Sequence, residues 1–353
     1  MSRFLNEKLS GLVAYTPGEQ PQDKKYIKLN TNESPFPASA AVVNAITKQE
    51  IEDLRLYCDP ECKKLKQAFA SVYGVEAKNI FLSNGSDDIL NFAFLAFGEN
   101  GAVYNDITYG FYSVFAELHG VKSTVIPLKE DFTIDIEAFK AQNKLVVIAN
   151  PNAPTGLALD LAQVESIITS NPDSVVLIDE AYVDFGATSC YKLTEKYDNL
   201  LCVGTFSKSR SMAGARLGFA IGNKELINDL EKIKYSTNPY NINRLTQIAG
   251  TACIEDNDYY MQNCKRIIET REFVTKELEN LGFSVLDSKA NFIFAKSEKM
   301  GGKELYLKLK DKGVLIRHFE KERISNFNRI TIGSREEMEI FIQKVKEILG
   351  ESL

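Results

Sequence analysis

The sequence lacks the features of several protein classes. Nowhere do about 18 apolar residues follow one another, so no membrane-spanning helix is predicted. The first eight residues, MSRFLNEK, contain no long apolar region and no cleavage pattern, and we therefore expect a cytoplasmic protein. Positive charge is not in excess, because 42 Lys and Arg stand against 48 Asp and Glu. The net charge of −6 argues against binding to nucleic acid or to an anionic membrane surface.

Histidine and closely paired cysteines are scarce as well. The chain has six cysteines, of which only Cys58 and Cys62 are close in sequence. Its two histidines, His119 and His318, are remote from each other. A structural metal site would need closely spaced cysteine pairs with histidine partners. We expect free thiols, most of them buried, with neither a disulfide framework nor a bound metal.

What the chain does contain is an ordinary globular composition, with 44% hydrophobic and 25% charged residues among 353. That length predicts two domains. From Ile80 to Phe219, short apolar segments alternate with helical segments, which indicates an α/β fold with a mostly parallel sheet covered by helices. The expected strands are 80–83, 102–104, 123–126, 144–149, 174–179, 200–204 and 217–221, and the expected helices include 86–97, 160–169 and 224–235. Several of these strands are apolar without alternation, as strands buried on both faces should be.

A second, smaller α+β domain is expected after residue 240. The pattern predicts one long helical stretch through Leu281, strands at 283–286 and 291–294, a helix near 303–312, strands around 314–317 and 329–332, and a final helix. Ser334 and Glu337 form a plausible capping box for that helix. The predicted limits are 1–50 for an N-terminal arm and helix that join the small domain, 51–240 for the large domain and 241–353 for the small domain.

The segment 205–218, TFSKSRSMAGARLG, contains the most informative residue, Lys208. A lysine between hydroxyl residues, followed by Arg216, can hold a phosphorylated aldehyde covalently, which points to pyridoxal phosphate. By itself a lysine is most often a solvated surface residue. The interpretation depends on finding the cofactor's other partners at strand ends in the right order.

An acid and an anion-binding loop are two such partners. Asp179 ends the apolar segment VVLID and can hold the pyridine nitrogen protonated, although an ordinary strand-end acid would look the same. The loop SNGSDD, residues 83–88, follows a strand and opens a helix, so its free N–H groups would face a phosphate. Simple helix capping is the alternative for this loop. The loop offers Gly85, Ser86 and Asp87, and further phosphate partners are Thr205, Ser207 and Arg216.

Two groups are candidates for contacts with the cofactor ring. Asn152 lies in the turn NPNAPTG, residues 150–156, where two prolines fix the backbone and the amide could donate to the ring oxygen. A plain turn is the alternative. Tyr109 could stack on the ring face, but an aromatic residue at such a position is more often part of the core.

These residues resemble those of the fold type I pyridoxal-phosphate aminotransferases, and the resemblance covers essentially the whole chain. The matching motifs are LNTNESP (29–35), LYCDP (56–60), SNGSDD, NPNAPTG, IDEAY (178–182), TFSKS with Arg216, and RITIGSREE (329–337). Ile107 and Ala153 depart from the commonest pattern without removing a catalytic group.

The resemblance implies roles for individual residues. Lys208 would carry the cofactor and, once displaced by substrate, move a proton. Asp179 would face the pyridine nitrogen, Asn152 and Tyr182 the ring oxygen, and Tyr109 the ring face. Tyr57 would reach the phosphate of the neighbouring subunit, which implies a homodimer with shared active sites.

The resemblance also implies the substrates. Arg329 would bind a carboxylate, with Arg317, Tyr15 and Asn152 as further substrate contacts, although a surface position is the commoner fate of an arginine. The implied reaction transfers the amino group of histidinol phosphate to 2-oxoglutarate, a step of histidine biosynthesis. Alternatives are an aromatic or broad-specificity aminotransferase and a threonine-phosphate decarboxylase. A non-catalytic cofactor-binding regulator is remote, because the short N-terminal arm leaves no room for a helix-turn-helix module.

Overall fold

The computed structural model describes residues 2–351. Within them the strands are β1 (Ile27–Lys28), β2 (Ile80–Ser83), β3 (Ala102–Asn105), β4 (Ser123–Ile126), β5 (Leu145–Ala149), β6 (Val176–Asp179), β7 (Leu200–Thr205), β8 (Gly218–Gly222), β9 (Phe283–Val285), β10 (Phe292–Ser297), β11 (Val314–Leu315), β12 (Arg317–His318) and β13 (Asn328–Thr331). The α-helices of the same range are α1 (Ala40–Ala45), α2 (Lys48–Glu52), α3 (Lys63–Tyr73), α4 (Ser86–Phe97), α5 (Phe111–His119), α6 (Leu161–Thr169), α7 (Lys224–Thr237), α8 (Arg244–Glu255), α9 (Asn257–Asn280), α10 (Gly302–Asp311) and α11 (Arg335–Leu349).

The central element is a seven-stranded sheet with the order β2-β8-β7-β6-β5-β3-β4. Its strands pair in parallel except at β8, which runs antiparallel to both β7 and β2. The chain reverses between β7 and β8 through the turn that contains Lys208, so no crossover helix separates these two strands. The predicted α/β class with a mostly parallel sheet is confirmed.

Both faces of this sheet are covered, which explains why its strands are apolar without alternation. In β5, Val146 and Ile148 belong to one hydrophobic cluster, whereas Leu145 and Val147 belong to the cluster on the other face. β6 behaves in the same way. Because β5, β6 and β7 are parallel neighbours, their carboxyl ends lie at one shared edge, where ligands of open α/β sheets bind.

A second sheet, with the order β12-β13-β10-β9, is antiparallel throughout and lies within the range predicted for the small domain. Residues of α9, α10 and α11 form the hydrophobic cluster on it. The predicted capping box at the start of α11 is present, with Ser334 and Glu337 each bonding the other's backbone N–H. None of the helices in the described chain is both long and apolar enough to cross a bilayer.

Two expectations for the regions around these sheets need correction. The long helix expected through Leu281 is two helices, α8 and α9, with Asp256 between them. The strand expected at 314–317 is divided: β11 pairs in parallel with β1, whereas β12 pairs with β13. β1 and β11 form a separate two-stranded sheet. α8, just after residue 240, packs against α1 and α3.

Candidate active site

A cavity of about 190 Å³ lies at the carboxyl edge of β5, β6 and β7. It is lined by nine of the residues that were predicted to bind a cofactor: Ser86, Asp87, Tyr109, Asp179, Tyr182, Thr205, Ser207, Lys208 and Arg216. We call it the first cavity. These nine residues lie at the ends of β2, β3, β6 and β7 or in the connections that follow them, so four parts of the chain meet in one place.

Lys208 follows β7 and is only partly buried. Its Nζ donates a hydrogen bond to the carbonyl oxygen of Thr31 at 3.1 Å and lies 5.8 Å from the ring centre of Tyr182. Thr31 comes from the segment that follows β1, so the amine sits between the central sheet and the N-terminal part of the chain.

Asp179 is the last residue of β6 and is 5% exposed. Its Oδ2 accepts a hydrogen bond from the Tyr112 hydroxyl at 2.7 Å, and its Oδ1 accepts one from the Ala181 N–H at 3.2 Å. Burial raises the pKa of Asp179 to about 6, even though both hydrogen bonds favour the ionised form. A cationic ring nitrogen beside this carboxylate would be a strong partner for it.

The opposite end of the first cavity is built to bind an anion. α4 begins at Ser86, so its first N–H groups are free of helical partners and face the cavity end. Arg216 donates from Nη2 to Asp87 Oδ2 at 2.9 Å and from Nη1 to Ser207 Oγ at 3.5 Å. The hydroxyl of Thr205 donates to Ser207 Oγ at 3.0 Å.

Two glycines allow these groups to approach one another. Gly85 has φ +82°, and a Cβ there would lie 2.5 Å from Arg216 Nη2. A Cβ at Gly218 would lie 2.3 Å from the Ser86 nitrogen. Side chains at either position would therefore fill the space around the guanidinium and the start of α4.

Tyr109 and Tyr182 stand on the sides of the first cavity. The Tyr109 hydroxyl donates to Asp87 Oδ1 at 2.7 Å, and burial raises the pKa of Tyr109 far above its ordinary value. The Tyr182 hydroxyl accepts a hydrogen bond from Asn32 Nδ2 at 3.0 Å. Asn32 also bonds Thr331 of β13, so it connects the second sheet to the cavity.

Three predicted cofactor residues do not line this cavity: Gly85, which lies beside Arg216, and Asn152 and Tyr57. The Asn152 amide donates to the Ile107 carbonyl at 3.0 Å and to Thr155 Oγ1 at 3.1 Å, and its oxygen accepts from Thr108 at 2.8 Å. These contacts hold it in the turn behind the cavity wall. Tyr57 is 80% exposed and stacks on Tyr240 with ring centres 4.5 Å apart, away from Lys208.

A second cavity, of about 360 Å³, adjoins the first and shares Lys208, Tyr109 and Tyr182 with it. All three residues predicted only as substrate contacts line it: Tyr15, Arg317 and Arg329. Arg329 donates from Nη2 to the Asn30 carbonyl at 2.9 Å, while its buried Nε has no hydrogen-bond partner within residues 2–351. Burial lowers the pKa of Arg329, because the guanidinium is removed from water. A buried cation of this kind favours the binding of an anion.

Sequence reasoning did not single out two residues that line the second cavity, Asn32 and Lys321, or Tyr112, which bonds Asp179. Tyr112 resembled a core aromatic residue, Asn32 lay in a turn-rich segment, and Lys321, which lines the second cavity, stood in a charged stretch. Lys321 donates to the carbonyl oxygen of Asp106 at 2.7 Å, across the rim of the second cavity. Asn32 had one usable signal, its place in the LNTNESP motif.

A model of the family "Aminotransferase class I and II" matches residues 24–345. The chain belongs to this family. The aminotransferase is similar along its length to proteins named histidinol-phosphate aminotransferase. One, from Brachyspira hyodysenteriae, is 54% identical over 352 residues and 99% of both chains. Another, from Clostridium beijerinckii, is 47% identical and covers 99% of this chain and 98% of that one.

A solved structure of the same fold is the histidinol-phosphate aminotransferase from Sinorhizobium meliloti in complex with pyridoxal-5′-phosphate. It superposes on this aminotransferase with a TM-score of 0.87 and 24% identity, and 99% of each chain is covered. The predicted fold and family are both confirmed.

The residues of the first cavity fit pyridoxal phosphate. A primary amine, a buried carboxylate and an anion cradle of hydroxyls, a guanidinium and helix N–H groups stand around one space. These are the three partners that the cofactor's aldehyde, ring nitrogen and phosphate require. Gly85 and Gly218, which leave the cradle open, are consistent with the same ligand.

Proposed function

We propose that this aminotransferase transfers the amino group of histidinol phosphate to 2-oxoglutarate, with pyridoxal phosphate as its cofactor and imidazole acetol phosphate and glutamate as products. The observation that carries the proposal is the charge of the second cavity. Arg317, Lys321 and Arg329 line it together with a single carboxylate, that of Asp106. Such an excess of cations suits a phosphate monoester, which carries nearly two negative charges. The names of the two full-length relatives support the same substrate.

One arginine would serve both half-reactions. Arg329 is assigned the phosphate end of the donor in one half-reaction and a carboxylate of glutamate or 2-oxoglutarate in the other. Its unpartnered Nε and its place beside Lys208 in the second cavity support this assignment. Arg317 and Tyr15 are assigned to the phosphate end alone; like Arg329, they line the second cavity but not the first.

The residues of the first cavity receive these roles. Bound pyridoxal phosphate supplies an electron sink for the charge that develops at the donor's α-carbon. Lys208 is assigned the covalent attachment and the movement of the proton at that carbon, since its amine lies where the two cavities meet. Asp179 would hold the ring nitrogen protonated, and Tyr109 would contact the ring, since both line the first cavity. Tyr182 and Asn152 are assigned to the ring oxygen; for Asn152 this requires its amide to leave Ile107 and Thr155.

The phosphate of the cofactor is assigned to the cradle at the start of α4. Its members are Gly85, Ser86, Asp87, Thr205, Ser207 and Arg216. The hydrogen bonds of Arg216 to Asp87 and Ser207 support this role, because they orient the guanidinium toward the cavity before any anion arrives.

A half-reaction screen tests the proposal. Histidinol phosphate, added without an oxo acid, should convert the visible absorbance of the bound cofactor to that of its amine form, and 2-oxoglutarate should restore it. A Lys208→Ala variant should show neither of these two absorbance changes. Conversion by an aromatic amino acid but not by histidinol phosphate would contradict the proposed donor. Release of carbon dioxide from threonine phosphate would indicate a decarboxylase, and no conversion by any amine would indicate a binding protein.

We propose further that the protein is a cytoplasmic homodimer with shared active sites. Its six cysteines are free, which is typical of a reducing compartment. Around the exposed Tyr57, large apolar side chains are also exposed, namely Ile51, Leu54, Leu56 and Tyr240. A surface of this kind is suited to burial against a second subunit.

Mixed dimers test the sharing of sites. Lys208→Ala subunits, inactive alone, and Tyr57→Ala subunits, weakly active alone, should regain activity when they are unfolded and refolded together. In the mixed dimer one site has both Lys208 and Tyr57. A monomer in sedimentation experiments, or no recovery on mixing, would contradict shared sites.

A further inference from the structure

The segment that carries Tyr15 into the second cavity has little structure of its own. Residues 13–26 contain neither helix nor strand. Tyr15 stacks on Phe111 with ring centres 4.2 Å apart, and the Gly110 backbone approaches the same ring. A segment without a backbone ladder takes its position from side-chain contacts, so the contacts that fix it decide where the Tyr15 hydroxyl lies.

Glu19 makes the strongest of these contacts. Its carboxylate accepts hydrogen bonds from the Tyr306 hydroxyl and from Lys310 Nζ, both on α10. Its carbonyl oxygen accepts a hydrogen bond from Asn30 Nδ2 at 2.9 Å. Burial acts to raise the pKa of Glu19, but the hydrogen bonds from Lys310 and Tyr306 outweigh it, and the pKa lies below its ordinary value. Glu19 is therefore ionised at neutral pH, and its bonds are charge-assisted.

The residues that contact Glu19 also connect it to both arginines of the second cavity. The Tyr306 ring stacks on His318, the neighbour of Arg317 in β12, with ring centres 5.9 Å apart. The side chain of Asn30 donates to the Glu19 carbonyl, and the backbone carbonyl oxygen of Asn30 accepts a hydrogen bond from Arg329 Nη2. Glu19 thus lies four residues from Tyr15 in sequence, is connected to Arg329 through Asn30, and is connected to Arg317 through Tyr306 and His318.

We propose that Glu19 is a positioning residue that sets the specificity of the site for a phosphorylated amino donor. The inference rests on the proposed function, in which Tyr15 and Arg317 bind the phosphate end. Glu19 fixes the segment that carries Tyr15 to α10. Its partner Tyr306 packs against His318 of β12, the strand that also carries Arg317. The dicarboxylate substrates depend on Arg329, which Asn30 holds independently of the Glu19 carboxylate.

A Glu19→Gln variant tests this, with Glu19→Ala as a second variant and Glu165→Gln as the matched control. Glu165, on α6, also accepts hydrogen bonds from a lysine and a tyrosine, Lys196 Nζ at 2.7 Å and Tyr197 OH at 2.6 Å, but it lines neither cavity. Glu19→Gln should raise the KM for histidinol phosphate about tenfold, as expected for the loss of a charge-assisted contact. Its kcat and its KM for 2-oxoglutarate should change less than about twofold.

The second measurement does not depend on activity. The chain contains no tryptophan, so Val13→Trp, at a position that is 72% exposed, places a single fluorescent reporter on the segment. Adding Glu19→Gln to this reporter should lower its fluorescence anisotropy, whereas adding Glu165→Gln should not. Restoring the carboxylate one methylene shorter, with Glu19→Asp, should recover part of the anisotropy and part of the donor affinity.

The outcomes separate the two proposals. If the unaltered protein does not turn over histidinol phosphate, the proposed function fails, and an unchanged anisotropy would additionally refute the anchoring role of Glu19. If it does turn over histidinol phosphate, equal changes in the KM of both substrates, or a Glu19→Gln variant that matches the Glu165→Gln control, would overturn the inference alone.

Discussion

The hydroxyl of Tyr112 donates a hydrogen bond to Asp179 Oδ2 at 2.7 Å, and both side chains are buried. Tyr112 lies on α5, which follows β3, while Asp179 ends β6. The carboxylate at the floor of the first cavity is therefore held by a helix from another part of the sheet as well as by its own strand. This contact orients Asp179 and partly offsets the rise in its pKa that burial causes.

The first prediction concerns the stability of Asp179→Asn in the cofactor-free protein. The pKa of Asp179 is raised from 3.8 to about 6 in the folded state, so the folded protein binds its proton more tightly than the unfolded chain. The free energy of unfolding therefore falls as pH rises from about 4 to about 6, and the whole loss, about 3 kcal/mol, is present above that window. Asn cannot ionise, so the variant should be the more stable protein at pH 8 and should lose that advantage near pH 4. It should also be nearly inactive.

Denaturant unfolding at a series of pH values measures this difference. Asp198→Asn, which removes an exposed carboxylate, is the control and should follow the unaltered protein at every pH. An Asp179→Asn protein that is less stable at pH 8 would contradict the prediction.

The second prediction concerns Tyr112→Phe. The variant leaves the buried carboxylate with one hydrogen bond, to the Ala181 N–H, and so raises the pKa of Asp179 further. We expect kcat at neutral pH to fall on the order of tenfold, with partial recovery at higher pH, because loss of a hydrogen bond to a charged group costs about 1.5–3 kcal/mol. Tyr104→Phe is the matched control, since Tyr104 is also buried and donates to Ser123 Oγ at 2.7 Å. Equal kcat values for the two variants would rule out the role given to Tyr112.

The third prediction separates backbone strain from blocking of the anion cradle. Gly85→Ala and Gly74→Ala both place a side chain at positive φ, at +82° and +67°. Gly74→Ala should cost about 1 kcal/mol of stability, whereas Gly85→Ala should cost about 1–3 kcal/mol, because its ψ of 166° places it in a region that is essentially restricted to glycine. Only at Gly85 does the new Cβ meet Arg216 Nη2, whereas nothing lies within 4 Å at Gly74. Titration of the cofactor-free proteins should show at least about tenfold weaker cofactor binding for Gly85→Ala alone, and similar binding by both variants would count against the cradle.

The fourth prediction separates the two arginines of the second cavity. Arg329→Gln should lower kcat/KM in both half-reactions about a hundredfold, because each loses a buried charge-assisted contact. Arg317→Gln should lower kcat/KM only in the half-reaction with the phosphorylated donor. Arg335→Gln, which breaks an exposed pair with Glu339, should leave both half-reactions unchanged. Single-turnover absorbance measurements with each substrate give these values, and a loss of equal size for Arg317→Gln in both directions would refute the division of roles.

Local patterns were sufficient for the strands and helices of the central sheet. β2, β4 and α4 have the predicted limits, because each is a short apolar or amphipathic run bounded by turn residues. The patterns failed where the partner of a strand decides its extent. Val314 to Arg317 reads as one apolar strand, but β11 and β12 pair with different sheets, and no local pattern names a pairing partner.

Local motifs likewise predicted only some residues of the candidate site. Lys208, Asp179 and Arg216 could be named from motifs, since each motif states its own chemistry at a strand end. Tyr112 could not, because its hydroxyl bonds a residue 67 positions along the chain and its local surroundings are those of a core aromatic residue. The orientation of Asn152 was also beyond the motif, because it depends on Ile107 and Thr108 from another connection.

The pairing of β1 with β11 has a consequence for the synthesis of the protein. Ile27 and Lys28 lie opposite Val314 and Leu315, so the segment that supplies Thr31 and Asn32 to the site has no strand to join until almost the whole chain has left the ribosome. At roughly 5–20 residues per second, the 93 residues from Gly222 to Leu315 take about 5–20 s to add, so the central sheet can form that long before β11 is made. The newly made large sheet must therefore wait, with its carboxyl edge uncovered, for the last part of the chain to bring the first part into place.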